Sequence, residues 1–189
     1  MSASTAGNAT AGNATAGNAT ATKVSLCDVP VDHRRGGAIQ LLLSPRSAGA
    51  TSGFMGVGVL QPGEFVIEHH HPYSEEFIYV VSGTLTARID GDRHVELRPD
   101  DGLLIPKGTP HRFENNGAEP AKVVFHNGPL APRPELGHVD TEPLLEEGPP
   151  PDVGGPAGPV STVGPVSTVS PVGPVSTAGP AGASTGGMP

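Results

Sequence analysis

The stretch that decides the fold reads Gly63-Glu64-Phe65-Val66-Ile67-Glu68-His69-His70-His71-Pro72-Tyr73-Ser74-Glu75-Glu76. A second stretch reads Pro106-Lys107-Gly108-Thr109-Pro110-His111-Arg112-Phe113-Glu114-Asn115. Successive side chains of a β-strand point to opposite faces, so His69 and His71 share one face. Glu76 opens the next apolar strand, and His111 opens a later one. Three imidazoles and one carboxylate form a ligand set for a divalent transition metal.

In both stretches, particular residue types stand at fixed intervals. The first, Gly-x5-His-x-His-x4-Glu-x6-Gly, is met at Gly63, His69, His71, Glu76 and Gly83. The second, Pro-x-Gly-x2-His-x3-Asn, is met at Pro106, Gly108, His111 and Asn115. These patterns resemble the two motifs of the cupin family, although Asp100 stands where the second motif usually opens with glycine. The resemblance implies an all-β, single-domain cupin fold, a jelly-roll or double-stranded β-helix barrel.

The rest of the sequence from Lys23 to Glu147 favours the same architecture. Short apolar or alternating runs recur between glycine and proline turns and predict about ten strands, at 24–26, 38–43, 54–60, 65–71, 77–81, 84–89, 93–97, 103–105, 111–114 and 121–125. Asp90-Gly91-Asp92 predicts a hairpin turn. Regular alternation gives the metal site an apolar wall made of Phe65, Ile67, Ile78, Val80 and Phe113.

The two ends of the chain differ from this pattern. Residues 1–22 repeat a Thr-Ala-Gly-Asn-Ala unit, and residues 148–189 consist almost entirely of Pro, Gly, Val, Ser, Thr and Ala. Such segments bury too little apolar surface to offset the entropy lost on ordering. We therefore expect disordered low-complexity tails at 1–22 and 148–189 around one domain at 23–147.

Charge and cysteine content exclude several classes of partner. The chain has 11 Lys and Arg residues against 19 Asp and Glu residues and shows no basic stripe, so we expect no binding to nucleic acid. No apolar run is long enough to span a membrane. Cys27 is the only cysteine, which excludes an intrachain disulfide bond and fits a cytoplasmic location.

This pattern predicts a role for each candidate side chain. We expect His69, His71, Glu76 and His111 to be the metal ligands, and Glu76 and His126 to be the candidate catalytic residues. His70 and Glu75 should point away from the site, and Asn115 should fix a turn. The remaining histidines lie in polar or proline-rich sequence and are predicted at the surface: His33, His94 and His138.

Longer runs of sequence indicate which group within the cupin family the chain resembles. They are Arg34-Arg35-Gly36-Gly37, Leu42-Leu43-Ser44-Pro45, residues 49–56, residues 71–77 and residues 125–142. Over about residues 24–142 the sequence resembles the small cupins of aromatic (type II) polyketide clusters in actinomycetes, of the spore-pigment and tetracenomycin type. This resemblance implies a metal-dependent cyclase, with zinc as the metal and a polyketide intermediate and the synthase complex as partners. It also implies a homodimer, and we expect the proline-rich segment 128–141, which cannot supply a core of its own, to lie across the barrel or across a partner.

Three function classes remain open at this point. A metal-dependent cyclase would assist an aldol-type closure and aromatisation of a poly-β-keto chain. A cupin oxygenase would use a redox metal in the same ligand set, because three histidines and a carboxylate suit zinc, iron, manganese and nickel alike. A non-catalytic accessory would bind the polyketide or the synthase without chemistry of its own.

Overall fold

The computed structural model describes residues 21–154. This part of the chain forms ten strands: β1 (Ala38–Leu43), β2 (Phe54–Leu60), β3 (Phe65–His70), β4 (Glu75–Ser82), β5 (Leu85–Ile89), β6 (Arg93–Leu97), β7 (Gly102–Ile105), β8 (His111–Glu114), β9 (Ala121–Gly128) and β10 (Val139–Asp140). A short helix, α1, spans Pro45–Ala48, and two 3₁₀ turns span Leu26–Asp28 and Pro134–Leu136. None of these helices is long and apolar enough to cross a membrane.

The strands form two five-stranded antiparallel sheets. One has the order β1-β2-β9-β4-β7 and the other β10-β3-β8-β5-β6. Their inner faces supply a core of buried apolar side chains that includes Leu60, Ile78, Val80, Leu85, Ile105 and Phe113. The predicted all-β barrel of jelly-roll type is therefore confirmed, as is the hairpin at Asp90-Gly91-Asp92, which joins β5 to β6.

Local differences from the prediction have physical reasons. The expected strand at 24–26 is absent, and its last residue starts a 3₁₀ turn instead. Ser44-Pro45 ends β1 as expected but also starts α1. There, the Ser44 hydroxyl accepts a hydrogen bond from the Ser47 backbone N–H, and the Ser47 hydroxyl accepts one from the Ser44 backbone N–H. This capping box, with proline at the first helical turn, stabilises a helix too short to show periodicity.

A turn before β1 packs tightly against β3. Gly36 has φ +93, and a Cβ atom there would lie 2.0 Å from the carbonyl oxygen of Phe65. The next contact along β3 is a hydrogen bond from the Ile67 backbone N–H to the Arg35 carbonyl oxygen, at 2.9 Å. The close approach requires glycine, and it carries Arg35 to the cavity between the sheets.

The chain after β9 wraps around its own barrel. β10 pairs with β3, which extends the second sheet. Further along, Arg46 forms an ion pair with Asp152 at 2.6 Å, and its backbone N–H donates to the Val153 carbonyl oxygen at 3.1 Å. Contacts with the barrel thus continue past Glu147, where we expected the domain to end, at least to Gly154. The remainder of both predicted tails lies outside the described residues.

Candidate metal centre

Two adjacent strands of one sheet, β3 and β8, and strand β4 of the facing sheet bring the predicted ligands together. β3 carries His69 and leads directly into His71, β4 carries Glu76, and β8 begins at His111. All four side chains are buried, and each offers a ligand atom within 4.8 Å of the others. Two contacts fix this arrangement: His69 pairs with His111 across the strands, and the Gly108 N–H donates to the His71 carbonyl oxygen at 2.9 Å.

Backbone carbonyl groups set the tautomer of all three rings. Each ring donates its Nδ1–H to a main-chain oxygen: His69 to Ile67 at 2.8 Å, His71 to Gly137 at 2.9 Å and His111 to Thr109 at 2.9 Å. A carbonyl oxygen only accepts, so Nδ1 carries a proton in each ring, and in the neutral form of the ring Nε2 holds the lone pair that a metal would bind. Metal-binding histidines are oriented in this way by their second hydrogen bond.

Two buried atoms of the group lack a hydrogen-bond partner among the described residues. These are Oε2 of Glu76 and Nε2 of His111, which lie only 2.8 Å apart but without hydrogen-bond geometry. Nε2 of His71 is 3.4 Å from the same carboxylate oxygen. The atoms converge on one point, where a cation would satisfy them together. The residues therefore fit a divalent transition metal.

The electrostatics of His69 and Glu76 favour the forms that bind metals, whereas at His71 burial is outweighed by the Glu76 carboxylate, which raises the pKa of that ring. Burial, followed by the neighbouring His111 and His138 rings, holds the pKa of His69 well below its usual range. Burial also opposes ionisation of Glu76, but the imidazoles of His111 and His71 outweigh it and hold the pKa of Glu76 well below its usual range. At neutral pH the group therefore contains a neutral His69 and an ionised carboxylate.

A cavity of about 620 Å³ is lined by His69, His71 and Glu76, whereas His111 lies behind its lining. Its volume falls in the range of sites for small organic ligands. Its apolar wall includes Phe54, Leu60, Val66, Ile78, Phe113 and Phe125. Polar side chains also line the cavity, among them Arg35, His69, His71, Glu76, Asn127 and His138, so a ligand would meet both apolar and polar groups.

Three predicted wall residues, Phe65, Ile67 and Val80, lie outside the cavity lining, the first two because β3 is irregular. Val66 pairs with Phe113 and His69 with His111, so β3 uses one more residue than β8 over this interval. This bulge reverses the alternation, and Val66 lines the cavity where Ile67 was expected. Phe65 also leaves the wall, and the guanidinium of Arg112 lies 3.8 Å from the centre of its ring. Val80 is buried in the core and lies outside the cavity lining.

The prediction that His126 reaches the pocket is wrong. His126 is exposed on the outer face of β9, where its ring lies 5.9 Å from that of Phe77. Its neighbours Phe125 and Asn127 point inward and line the cavity instead. The alternation of β9 is regular, so a residue between two inward-facing ones must face outward.

His138, which we expected at the surface, lies in the site. Its ring stacks on that of His69 at a centroid distance of 4.5 Å and lies 5.0 Å from that of His71. β10 holds it there by pairing with β3, and its Nε2 lies 2.8 Å from Oδ1 of Asp140. The sequence signal was the alternation His138-Val139-Asp140, which is typical of a short strand. His33 and His94 are exposed, as predicted.

An ion pair fixes the state of His138. Arg35 donates to both carboxylate oxygens of Asp140, at 2.6 and 2.9 Å. Burial opposes ionisation of Asp140, but Arg35 and His138 outweigh it and lower its pKa to about 2. An ionised carboxylate only accepts, so Nε2 of His138 carries the proton that it donates. Burial, followed by the charge of Arg35, lowers the pKa of His138 to about 3.

Comparisons with known proteins agree with this geometry. A family model described as "Cupin domain" matches residues 56–127. The chain is 57% identical over 126 residues to protein SchB of Streptomyces halstedii, which covers 67% of this chain and 91% of SchB. It is 50% identical over 134 residues to the tetracenomycin polyketide synthase protein TcmJ of Streptomyces glaucescens, covering 70% of this chain and 89% of TcmJ.

A solved structure shows the same fold at lower sequence identity. It is the polyketide cyclase RemF of Streptomyces resistomycificus, with a TM-score of 0.52 and 20% identity. The match covers 64% of this chain and 84% of RemF. At this level of identity the likeness concerns the fold alone.

Proposed function

The chain belongs to the cupin family, and from this premise we propose that it is a metal-dependent cyclase that assists an aldol-type ring closure and aromatisation of a poly-β-keto intermediate. The observation that carries the proposal is the buried group of three histidines and Glu76 beside a cavity of about 620 Å³ with an apolar wall. The relative TcmJ, named as a polyketide synthase protein, supports the polyketide context.

In this proposal His69, His71, Glu76 and His111 hold one divalent metal, and zinc is the metal we expect. Bound there, the metal would act as a Lewis acid that makes the methylene group between two carbonyl groups more acidic. The apolar wall holds the polyketide folded and excludes water, which brings the two reacting carbons together.

His138 is the side chain placed to move the proton. Its Nε2–H is committed to Asp140, and Nδ1 has no hydrogen-bond partner within residues 21–154. With a pKa of about 3 the ring is neutral at pH 7 and Nδ1 offers a lone pair, but the ring is a weak base and needs a methylene group that has already been made more acidic. Nδ1 accepts a proton from the methylene carbon, and the electron pair left behind attacks a carbonyl carbon further along the chain. The proton then returns to the new alkoxide, and loss of water completes the aromatic ring.

Reconstitution under strictly anaerobic conditions tests this proposal. The full-length protein is added to its minimal polyketide synthase, and the ring pattern of the products is compared with that given by a His69→Ala/His111→Ala variant. A metal-dependent change of ring pattern without oxygen supports the cyclase. A change that requires oxygen would favour a cupin oxygenase, and equal effects of the intact and metal-free proteins would favour a non-catalytic accessory.

A further inference from the structure

Two asparagines are fully buried in the barrel, but they differ in their hydrogen bonds. Asn115 is satisfied: its Nδ2 donates to the Leu60 and Glu119 carbonyl oxygens at 2.8 and 2.9 Å, and its Oδ1 accepts from the Gly117 N–H at 3.0 Å. Asn127 is 1% exposed, and its Nδ2 has no partner anywhere in residues 21–154. A buried donor without a partner destabilises the fold, so a structural role explains Asn115 but not Asn127.

The position of Asn127 indicates which kind of group its amide could bind. Asn127 lines the cavity from β9, and its cross-strand neighbours are Glu76 on β4 and Phe54 on β2. Side chains paired in this way have Cβ atoms about 5 Å apart. The unpaired N–H group therefore lies between the carboxylate of the metal centre and an aromatic part of the wall.

We propose that Asn127 determines ligand specificity by donating a hydrogen bond from Nδ2 to a carbonyl or enolate oxygen of a β-dicarbonyl ligand. The inference rests on the proposed function for the class of ligand, and it adds the residue that recognises the second oxygen. A β-dicarbonyl compound carries oxygens on alternate carbons. One oxygen faces the histidines and Glu76, while the other meets the amide of Asn127, and Phe54 covers the adjoining carbons.

A different role would be to hold Glu76 in position. Asn127 and Glu76 are cross-strand neighbours, and each has a buried atom without a hydrogen-bond partner, yet the two side chains are not bonded to each other. If Asn127 positioned Glu76, its replacement would weaken metal binding. If it recognises the ligand, its replacement leaves the metal content unchanged.

The test uses the full-length protein with its metal and 1-phenylbutane-1,3-dione as the probe. The variants are Asn127→Leu, which has the same branching but a larger, apolar side chain, and Asn127→Ala, which removes the amide without adding bulk. Asn116→Leu is the matched control, because Asn116 is exposed on the loop after β8. Metal per chain, affinity for the probe by calorimetry and the midpoint of thermal unfolding are measured for each protein.

We expect both Asn127 variants to bind the probe about tenfold more weakly than the wild type, the effect of losing one buried hydrogen bond. Metal content should stay at the wild-type level, and Asn127→Leu should melt at or above the wild-type midpoint because an unpaired buried donor has been removed. The Asn116→Leu control should match the wild type in every measurement.

Three outcomes would overturn the inference: no binding of the probe by the wild type, unchanged affinity in both variants, or loss of metal in both variants. Loss of metal in both variants would show that Asn127 positions Glu76 instead. These outcomes are independent of the synthase assay. Weaker binding of the probe without any effect on ring pattern would keep the specificity role of Asn127 and remove the cyclase.

Discussion

The ring of His138 lies flat against that of His69, with the two planes inclined by only 16°. A side chain from the segment that follows the barrel is thereby added to a group built by β3, β4 and β8. His138 therefore lies beside the metal centre, but it is not one of the four side chains that converge as candidate ligands.

Replacing His138 should leave metal binding intact and impair cyclisation. We expect His138→Ala to keep one equivalent of metal, because the other four side chains converge without it, and to lose most of the change in ring pattern in the reconstituted synthase. His94→Ala, at an exposed position, is the control and should change neither. A His138→Ala protein that still directs cyclisation at the wild-type rate would contradict the proton-transfer role.

Removing two of the converging imidazoles should remove the metal. We expect the His69→Ala/His71→Ala variant to lose stoichiometric metal, as measured by elemental analysis of protein purified without added metal. His126→Ala should retain it, because that ring lies on the outer face of β9. One equivalent of metal in the double variant would refute the ligand assignment.

The turn before β1 should tolerate no side chain at Gly36. An alanine there would combine a positive φ with a Cβ 2.0 Å from a backbone oxygen, so we expect a loss of more than about 3 kcal/mol in the free energy of unfolding. Gly63→Ala is the control, since Gly63 also has a positive φ, +83, but nothing lies within 4 Å of its Cβ position. It should cost about 1–2 kcal/mol. If urea denaturation gives both variants the same loss of unfolding free energy, the close contact between Gly36 and Phe65 does not contribute to stability.

Glu142 should stabilise the fold in a pH-dependent way. It accepts from the Glu68 N–H at 3.0 Å and from Arg88 at 2.9 Å, and it also contacts Arg112. Burial opposes its ionisation, but these donors outweigh it and lower the pKa of Glu142 from 4.5. A carboxyl group with a lowered pKa stabilises the fold above its unfolded value, and that contribution is lost as pH falls through the folded value.

The Glu142→Gln variant measures this contribution. It should melt a few degrees below the wild type at pH 7, a loss of no more than about 1 kcal/mol because the pair is partly exposed. The gap between the two proteins should narrow as pH falls below the ordinary carboxyl value of 4.5. Glu147→Gln is the control, because Glu147 makes no ion pair within the described part of the chain. A gap that persists unchanged in acid would assign the effect to packing.

Truncation tests where the folded unit ends. Residues 23–154 should retain the melting midpoint of the full chain. Residues 23–147 lose the ion pair between Arg46 and Asp152, and since such exposed pairs contribute little, the midpoint should fall by no more than about 5 °C. A larger fall would show that residues 148–154 pack more tightly than these contacts indicate.

The sequence predicts those parts of the site that depend on local spacing. His69, His71, Glu76 and His111 sit at fixed intervals on strands, so their convergence follows from the fold. The position of Val66 depends on a bulge that a regular period of two does not reveal. His138 is placed by a pairing between segments about 70 residues apart and by the ion pair between Arg35 and Asp140, 105 residues apart. Spacing carries no signal for such contacts, and the homodimer stays a prediction.

The segment that wraps the barrel has a consequence for how such proteins diversify. The ligands come from β3, β4 and β8, whereas much of the cavity rim comes from Leu130 to Gly154. The segment is linked to the ligand strands by the pairing of β10 with β3, by the ring of His138 stacked on that of His69, and by the Gly137 carbonyl oxygen that holds His71. Substitutions along the rest of the rim can therefore alter which molecules enter while the inherited metal chemistry persists. Directed evolution of new substrate preferences would best begin there.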